Sequence, residues 1–311
     1  MTAQSVYKTI IIGSGPAGLT AALYAARGEL KPLVIAGPNP GGQLVQTTEV
    51  ENFPGFPEGV LGPVLMEAMT KQAERFGAVL AQESVTAVDL QRQPFTVTTD
   101  KQSYQAATLI LATGAEANWL GLPNEQRLRG KGVSACATCD GFFFKGKELA
   151  VIGGGDSAME EATFLTKFAS RVTIIHRRGE FKASKIMLKR AQDNPKISFL
   201  ANTIVTDVLG EAAVTGLKIK DGQTGQERVL PVQGMFLAIG HTPSTKIFSA
   251  AGVEVDERGY VAVRQQTQTN IPGVFVAGDA SDPRYRQAVV AAGMGSMAAL
   301  DAEKYLAEQE A

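Results

Sequence analysis

The chain has two cysteines, and they stand three residues apart in Cys136-Ala137-Thr138-Cys139, with Asp140 directly after them. A C-x-x-C pair closes into a disulfide that is readily reduced and re-formed, and a nearby positive dipole or cation lowers the pKa of the attacking thiol. Asp140 adjoins the pair and can carry a proton to or from a thiolate. Two other readings of these residues stay open. Zinc takes about four N or S ligands, and the two histidines, His176 and His241, are distant in sequence and each belongs to another motif. A pair of buried, inert thiols is the remaining option. In a reducing compartment, one isolated C-x-x-C argues for redox or metal chemistry rather than a structural staple.

Two glycine-rich turns carry a second chemistry. Gly13-Ser14-Gly15-Pro16-Ala17-Gly18 follows an apolar strand at 8–12 and opens a helix at 19–27. Such glycines make the tight turn, let the backbone approach a pyrophosphate and allow the helix to pack on the strand. The helix N-terminus adds unpaired N–H groups and the positive end of its dipole. An acidic residue that holds a ribose belongs ~20 residues past the third glycine. That stretch reads Gly37-Pro38-Asn39-Pro40, so Asn39 is the candidate, a hydrogen-bonding side chain without charge.

The second turn, Gly153-Gly154-Gly155-Asp156-Ser157-Ala158, joins a strand at 149–152 to a helix running to 168. The position ~20 residues on is Arg178, within His176-Arg177-Arg178, and Lys182 lies one helical step further. A cationic fork stands where a 2′-phosphate would lie, and guanidinium geometry suits phosphate. The expectation is NADPH over NADH; the alternative is a solvated basic turn. Near the end of the chain, Gly278-Asp279 closes an apolar strand. There Asp279 either reaches a ribityl or phosphate group of a bound dinucleotide or caps a helix. Arg286-Gln287-Ala288 opens the last helix and offers its free amides.

These motifs need scaffolds that deliver strand ends to helix starts, and the pattern provides one architecture twice. Residues 8–36 read as a βαβ unit, whose crossover makes the strands parallel. A Gly/Pro-rich loop at 37–42, an irregular stretch at 47–56 and a helix at 63–76 follow. Short strands at 84–89 and 94–99 lead to an apolar strand at 108–112 that ends in Thr113-Gly114. From 149 the order repeats, with a strand at 172–175, short strands at 202–209, 213–220 and 226–232, and a closing strand at 234–240. Past about residue 244 the chain returns with a strand at 273–279 and a helix over about 286–306. The expected fold class is α/β: two Rossmann-like three-layer dinucleotide-binding domains, one inserted into the other. Residues 1–117 and 244–311 form the outer domain and 118–243 the inserted one, which carries the cysteines.

The 311 residues suffice for about two such domains. Thirty Lys and Arg against 31 Asp and Glu leave a net charge of −1. That gives no basic field for nucleic acid and no polybasic membrane anchor. Residues 1–8 lack the charged start, apolar stretch and small-residue site of a signal peptide. The apolar stretch at 17–26 is too short to span a bilayer. A cytoplasmic protein with neither nucleic-acid nor membrane partners is expected.

In this order and spacing the motifs resemble the low-molecular-weight thioredoxin reductases. The matching residues run from end to end: 13–18, Gly41-Gly42-Gln43-Leu44, 49–55, Thr113-Gly114, 136–140, 153–158, 176–183, Gly240-His241-Thr242-Pro243, Gly278-Asp279 and Arg286-Gln287-Ala288. The resemblance implies a homodimer with one FAD per subunit, passing electrons from NADPH through FAD to a Cys136–Cys139 disulfide and then to thioredoxin. It implies that Gly13, Ser14, Gly15, Pro16, Ala17, Gly18, Asn39, Gly42, Gln43, Asn52, Val85, Thr113, Gly114, Asp279, Arg286, Gln287 and Ala288 hold FAD. Gly153, Gly155, Asp156, Ser157, Ala158, His176, Arg177, Arg178 and Lys182 would hold NADPH, with no metal. Cys139 would face the flavin, Cys136 would attack the partner disulfide, and Asp140 would be the acid/base.

Three positions depart from the family pattern. Asn39 stands where Glu is frequent, Ser281-Asp282-Pro283-Arg284 replaces the usual linker, and Lys182 replaces a common Arg. High-molecular-weight relatives carry their cysteine pair in the first domain, where 41–52 has none. Because the disulfide and the second turn ride on one inserted domain, rotation of that domain is expected to alternate two half-reactions, with crossings near 117–120 and 240–244. Two alternatives stand. A same-fold disulfide reductase fed by ferredoxin or another non-nicotinamide donor should lack the cationic cluster and the second glycine turn. A non-catalytic flavin-binding redox sensor should tolerate loss of the cysteines.

Overall fold

The strand Tyr7–Ile12 buries its last four side chains without alternation, which requires cover on both faces of its sheet. In the computed structural model, which describes residues 6–47 and 49–310, that cover is supplied twice over, in two units. The first unit comprises residues up to Glu116 and from Thr242 onward; the second is Ala117–His241. Residues 1–5 of the polar N-terminal stretch, and Thr48 in the stretch expected to be irregular, lie outside the described residues.

In the first unit, Tyr7–Ile12 pairs in parallel with Leu33–Ile35 on one side and Ser103–Leu111 on the other. Val79–Ala81 and Val274–Val276 extend this parallel order at its two ends. Strand side chains alternate between faces, so Ile11, Val34 and Ile110 meet the helices Pro16–Arg27 and Ala288–Glu310. Ile10, Ile12, Leu33, Ile35, Leu109 and Leu111 point the other way. They are covered by the antiparallel pair Val85–Asp89 and Phe95–Thr99, together with Phe248, Val253 and Val261.

The second unit repeats this plan. Its parallel sheet runs Val133–Ser134, Gly234–Leu237, Glu148–Ile152, Arg171–Ile175, Ile197–Leu200. Leu149, Val151, Val172 and Ile174 pack on the helix Asp156–Leu165 through Ala158, Met159, Ala162 and Leu165. Ala150, Ile152, Ile175, Met235 and Leu237 pack on a three-stranded antiparallel sheet through Val208, Leu217 and Ile219. Each unit is therefore a Rossmann-like three-layer α/β body. The chain crosses between the units within Ala115–Ala117 and His241–Pro243, and these two segments pair as a ribbon.

Several elements differ from the sequence expectation. The first helix begins at Pro16 rather than 19, since proline at the first helical positions loses no hydrogen bond. The helix after the second turn ends at Leu165 rather than 168. Glu49–Val50, in the stretch read as irregular, pairs with Val60–Leu61 just past it. The strands Val79–Ala81 and Ile197–Leu200 and the helix Lys185–Gln192 were not expected, being too short or too charged to show a period.

Candidate active site

Parallel strands deliver their carboxyl ends to one edge, and ligands of open α/β sheets bind along that edge. In the first unit this edge gathers the turns after Ile12, Ile35, Ala81, Leu111 and Val276. The glycine turn there is closed on one side and open on the other. A Cβ on Gly18 would overlap the Gly13 carbonyl, so the helix start is locked against the strand end, whereas a Cβ on Gly15 would meet nothing within 4 Å. No side chain caps this helix N-terminus, which leaves its first amides available to an anion. The Ser14 hydroxyl donates to Ala36 O at 3.0 Å and accepts from Gly41 N at 3.0 Å, tying the Gly41-Gly42 pair to the turn.

The other candidates of this unit lie along the same edge. Gln43 donates through its amide to Ala115 O. Thr113 Oγ1 donates to Ser244 O at 2.8 Å, just before Gly114. Asn52 Nδ2 donates to Gln287 Oε1 at 3.3 Å, joining residues 235 positions apart. Asn39 is exposed, and its carbonyl accepts from Gly42 N. Val85 opens its strand half-buried.

One expectation needs correction here. The last helix starts at Ala288 and runs to Glu310, and Arg286 stands outside it with φ at 49°. Asp282 is the cause. Its buried carboxylate accepts from the amides of Arg284 and Tyr285 at 2.9 Å each and of Arg286 at 3.0 Å. A left-handed residue costs roughly 1–2 kcal/mol, and three N–H bonds to one carboxylate, each worth about 1.5–3 kcal/mol, outweigh it.

Nearby, burial pushes the Asp279 carboxyl up to about 6; the Asp282 charge adds to this and Arg286 opposes it. The folded chain thus holds this proton more tightly than the unfolded one. On that account stability falls as pH rises from about 4, the ordinary carboxylate value, to about 6. Asp279→Asn should raise the stability of the ligand-free protein at pH 7 by on the order of 2 kcal/mol and flatten this limb. Thermal melts across pH 4–8 read it, and superimposable profiles would remove burial as the cause.

In the second unit the edge gathers the turns after Ser134, Ile152 and Ile175. A Cβ on Gly154 would overlap the His176 ring, so glycine there is what lets the imidazole lie against the turn. The ring also stacks on Phe181 at 5.2 Å. Around Gly155 the turn is open, with nothing within 4 Å of a Cβ. Lys182 is not on a helix, contrary to expectation. Lys182 N and Ala183 N donate to Gly154 O at 2.7 and 3.0 Å, and Ser184 N donates to Asp156 Oδ1 at 2.7 Å, which fastens this loop to the turn.

The Arg177, Arg178 and Lys182 side chains are exposed around this site. Burial first, then the charges of Arg178, Arg177 and Lys182, hold the His176 pKa below its ordinary value, against a hydrogen bond with the Glu180 backbone. Its Nε2 is buried without a protein partner, the kind of atom that a ligand satisfies.

Cys136 and Cys139 are joined in a disulfide with Cα atoms 5.3 Å apart. Sulfurs bonded to each other are not zinc ligands, and Cys139 is exposed rather than buried. Cys136 caps the short helix Ala137–Asp140, its Sγ accepting from Cys139 N at 3.2 Å. Burial raises the Asp140 pKa, and a hydrogen bond with Ser134 opposes the shift. A carboxyl that keeps its proton to higher pH is suited to give it to a leaving sulfur.

The structure adds two residues that the sequence reading passed over. Phe142 and Phe143, 59% and 41% exposed, follow Asp140 after one glycine, while Phe144 is buried. Two exposed aromatics beside a reactive bond are what a protein contact uses. The run Gly141-Phe142-Phe143-Phe144 was the signal.

From residue 7 to 295 the chain matches the pyridine nucleotide-disulphide oxidoreductase family. It is 56% identical over 310 residues to a thioredoxin reductase of Mycolicibacterium smegmatis, with 99% of each chain covered. It is 55% identical over 308 residues to a bifunctional thioredoxin reductase/thioredoxin of Mycobacterium leprae, covering 98% of this chain and 67% of that one. A solved thioredoxin reductase from Giardia duodenalis superposes with a TM-score of 0.93 at 43% identity, covering 98% of this chain and 100% of that one. Among the described residues, no helix is long and apolar enough to cross a membrane.

Proposed function

The chain belongs to the pyridine nucleotide-disulphide oxidoreductase family, and on that premise we propose that it draws electrons from NADPH, by way of FAD, into its Cys136–Cys139 disulfide and delivers them to thioredoxin. The observation that carries this reading is the position of the disulfide. It sits on the same sheet edge as the second glycine turn, in a unit that holds its own nucleotide-type loop. Such an arrangement suits a reductase whose redox pair travels with its electron donor.

The first unit fits FAD: the open face at Gly15, the uncapped helix start and the turn tied by Ser14 make a cradle for a dinucleotide pyrophosphate. The second fits NADPH through the open face at Gly155 and the cations Arg177, Arg178 and Lys182 around a neutral His176. Bound in the first unit, FAD would supply the two-electron chemistry that links a nicotinamide hydride to a disulfide.

The remaining chemistry belongs to the chain's own residues. The Cys139 amide aimed at Cys136 Sγ stabilises a thiolate there, which supports Cys136 as the thiol that attacks the partner. Cys139 then displaces the partner from Cys136, and Asp140 supplies a proton to the departing sulfur. Phe142 and Phe143 offer the apolar contact for that partner. A thioredoxin partner is supported by the relative whose name joins the two activities. A homodimer and a cytoplasmic setting follow from the resemblance and from the single redox C-x-x-C.

One strand separates the disulfide strand from the turn strand, a spacing of about 10 Å. We take the paired crossings Ala115–Ala117 and His241–Pro243 as the hinge of the expected rotation, which would present the disulfide and the turn in alternation. The test is an anaerobic titration of the yellow protein. NADPH should bleach the visible band at low excess, NADH should do so poorly, and oxidised thioredoxin should restore the colour. No bleaching by either nucleotide would move a ferredoxin-type donor to first place. Turnover that survives a cross-link fastening unit to unit would remove the rotation alone.

A further inference from the structure

Thr138 is an exposed residue between the two cysteines, and its Oγ1 lies 3.4 Å from Cys136 Sγ. A disulfide sulfur carries no proton, so in this contact the threonine O–H donates and the sulfur accepts. The Cys139 amide donates to the same sulfur at 3.2 Å, and two donors therefore converge on one atom. The turn that brings them there is held by bonds in which sulfur takes no part. Asp140 N donates to Cys136 O at 3.1 Å, Cys136 N donates to Ser134 Oγ at 3.0 Å, and Ala137 is buried. Opening the S–S bond thus leaves both donors in place. We propose that Thr138 is a catalytic residue of the disulfide half-reaction, its hydroxyl stabilising the Cys136 thiolate that attacks the partner. The inference rests on the reading of Cys136 as the attacking thiol.

The charges around Cys136 oppose a thiolate, so hydrogen bonds must favour it. Its own turn carries Cys139 and Asp140, and the helix packed on that turn carries Asp156, Glu160 and Glu161. The strand Val133–Ser134 and the turn Gly141–Phe144 carry no charged side chain, and none of these elements holds a Lys, Arg or His. A hydrogen bond to a charged acceptor is stronger than one to a neutral acceptor, so the Thr138 hydroxyl favours thiolate over thiol. The exchange balances without an added reagent. The Cys136 thiolate forms a bond to one partner sulfur while the partner's S–S bond breaks, and its other sulfur leaves with the electron pair and takes the Asp140 proton. The Cys139 thiolate then bonds to Cys136 Sγ, and the second partner sulfur leaves to take a proton from solvent. Thr138 keeps its proton throughout.

Stabilising a thiolate also blunts it: nucleophilicity falls by a little under half of the pKa change, on a logarithmic scale. Below the pKa the gain in thiolate wins, and above it the loss of nucleophilicity remains. The Cys139→Ser holoenzyme keeps the amide of residue 139 and leaves Cys136 as its one thiol. Alkylation of that thiol by iodoacetamide, followed by mass spectrometry from acid to alkaline pH, gives its titration. Adding Thr138→Val should raise the midpoint by roughly half to one pH unit, for a bond that competes with water. Alkylation should slow roughly two- to fourfold on the acid side and quicken roughly two- to threefold on the alkaline side, so the profiles cross. Thr138→Ser keeps the hydroxyl and should follow the parent. With both cysteines present, Thr138→Val should slow thioredoxin reduction on the acid side and leave NADPH bleaching unchanged. Should valine disturb the turn, Thr138→Ala removes the hydroxyl without added bulk. Superimposable profiles for the variant lacking the hydroxyl, or an equal shift in Thr138→Ser, would overturn the proposal. Alkylation needs neither nucleotide nor thioredoxin. It therefore decides the role of Thr138 even if wild-type protein bleaches with NADPH and never reduces thioredoxin, the result that would sink the functional reading instead.

Discussion

Replacing Cys139 by serine should lower thioredoxin reduction at least ~10³-fold while leaving NADPH bleaching of the flavin band intact. A serine hydroxyl neither forms the disulfide nor ionises near neutral pH, so the electron pair has no acceptor on the chain. The rest of the site should survive the change. The contact that stabilises Cys136 Sγ comes from the backbone N–H of residue 139, which serine keeps. The side chain is exposed, and the loop closed by the bond spans a sequence separation of only 3, so little unfolded-state entropy is at stake. The melting temperature should barely move. Single-turnover reduction of thioredoxin, measured beside anaerobic bleaching, separates the outcomes. Undiminished reduction would mean that electrons reach thioredoxin without Cys139 and would remove the thiol mechanism. Loss of both reactions would mean that the cysteines support nucleotide entry, which the separate strands of the disulfide and the second turn argue against.

How much of this site could be read from the chain alone depended on the distance over which each part is specified. The glycine turns were legible because the tight turn, the close approach and the helix start lie within six residues, as Gly13 to Gly18 demonstrates. The disulfide was legible because C-x-x-C sets its own geometry. Residues set by tertiary return were not. Three consecutive phenylalanines carry no period, so the sequence does not tell that Phe144 is buried while Phe142 and Phe143 face outward. Lys182 was read one helical step past Arg178, yet backbone bonds from Lys182 and Ala183 to Gly154 hold this stretch in a loop. The Asp282 motif is a middle case. Asp followed by Pro is a turn signal, but that it forces Arg286 into the left-handed region emerges only once the three amides converge.

Nucleotide preference should rest on Arg177 and Arg178. Each charge-assisted hydrogen bond to a phosphate contributes about 1.5–3 kcal/mol. Removing both in Arg177→Ala/Arg178→Ala should therefore lower kcat/KM for NADPH on the order of 10²–10⁴-fold. NADH has no 2′-phosphate, so its kcat/KM should change by no more than about threefold and the preference should collapse. Both side chains are exposed, and the loop is fastened by backbone bonds to Gly154 and by Asp156, so the fold should tolerate the change. Two features should distinguish a phosphate site from a merely solvated basic turn. The wild-type KM for NADPH should rise with salt more steeply than that for NADH, because ions screen the charge pair. His176 provides the second. The two arginine charges help to hold its pKa down, so their removal should raise it. Lowering the pH towards 6 should then protonate more of His176 in the double variant than in the wild type, placing a new cation beside Lys182 and recovering part of the lost NADPH affinity. Equal losses for the two nucleotides, without this recovery, would assign the arginines to shaping the loop rather than to reading a phosphate.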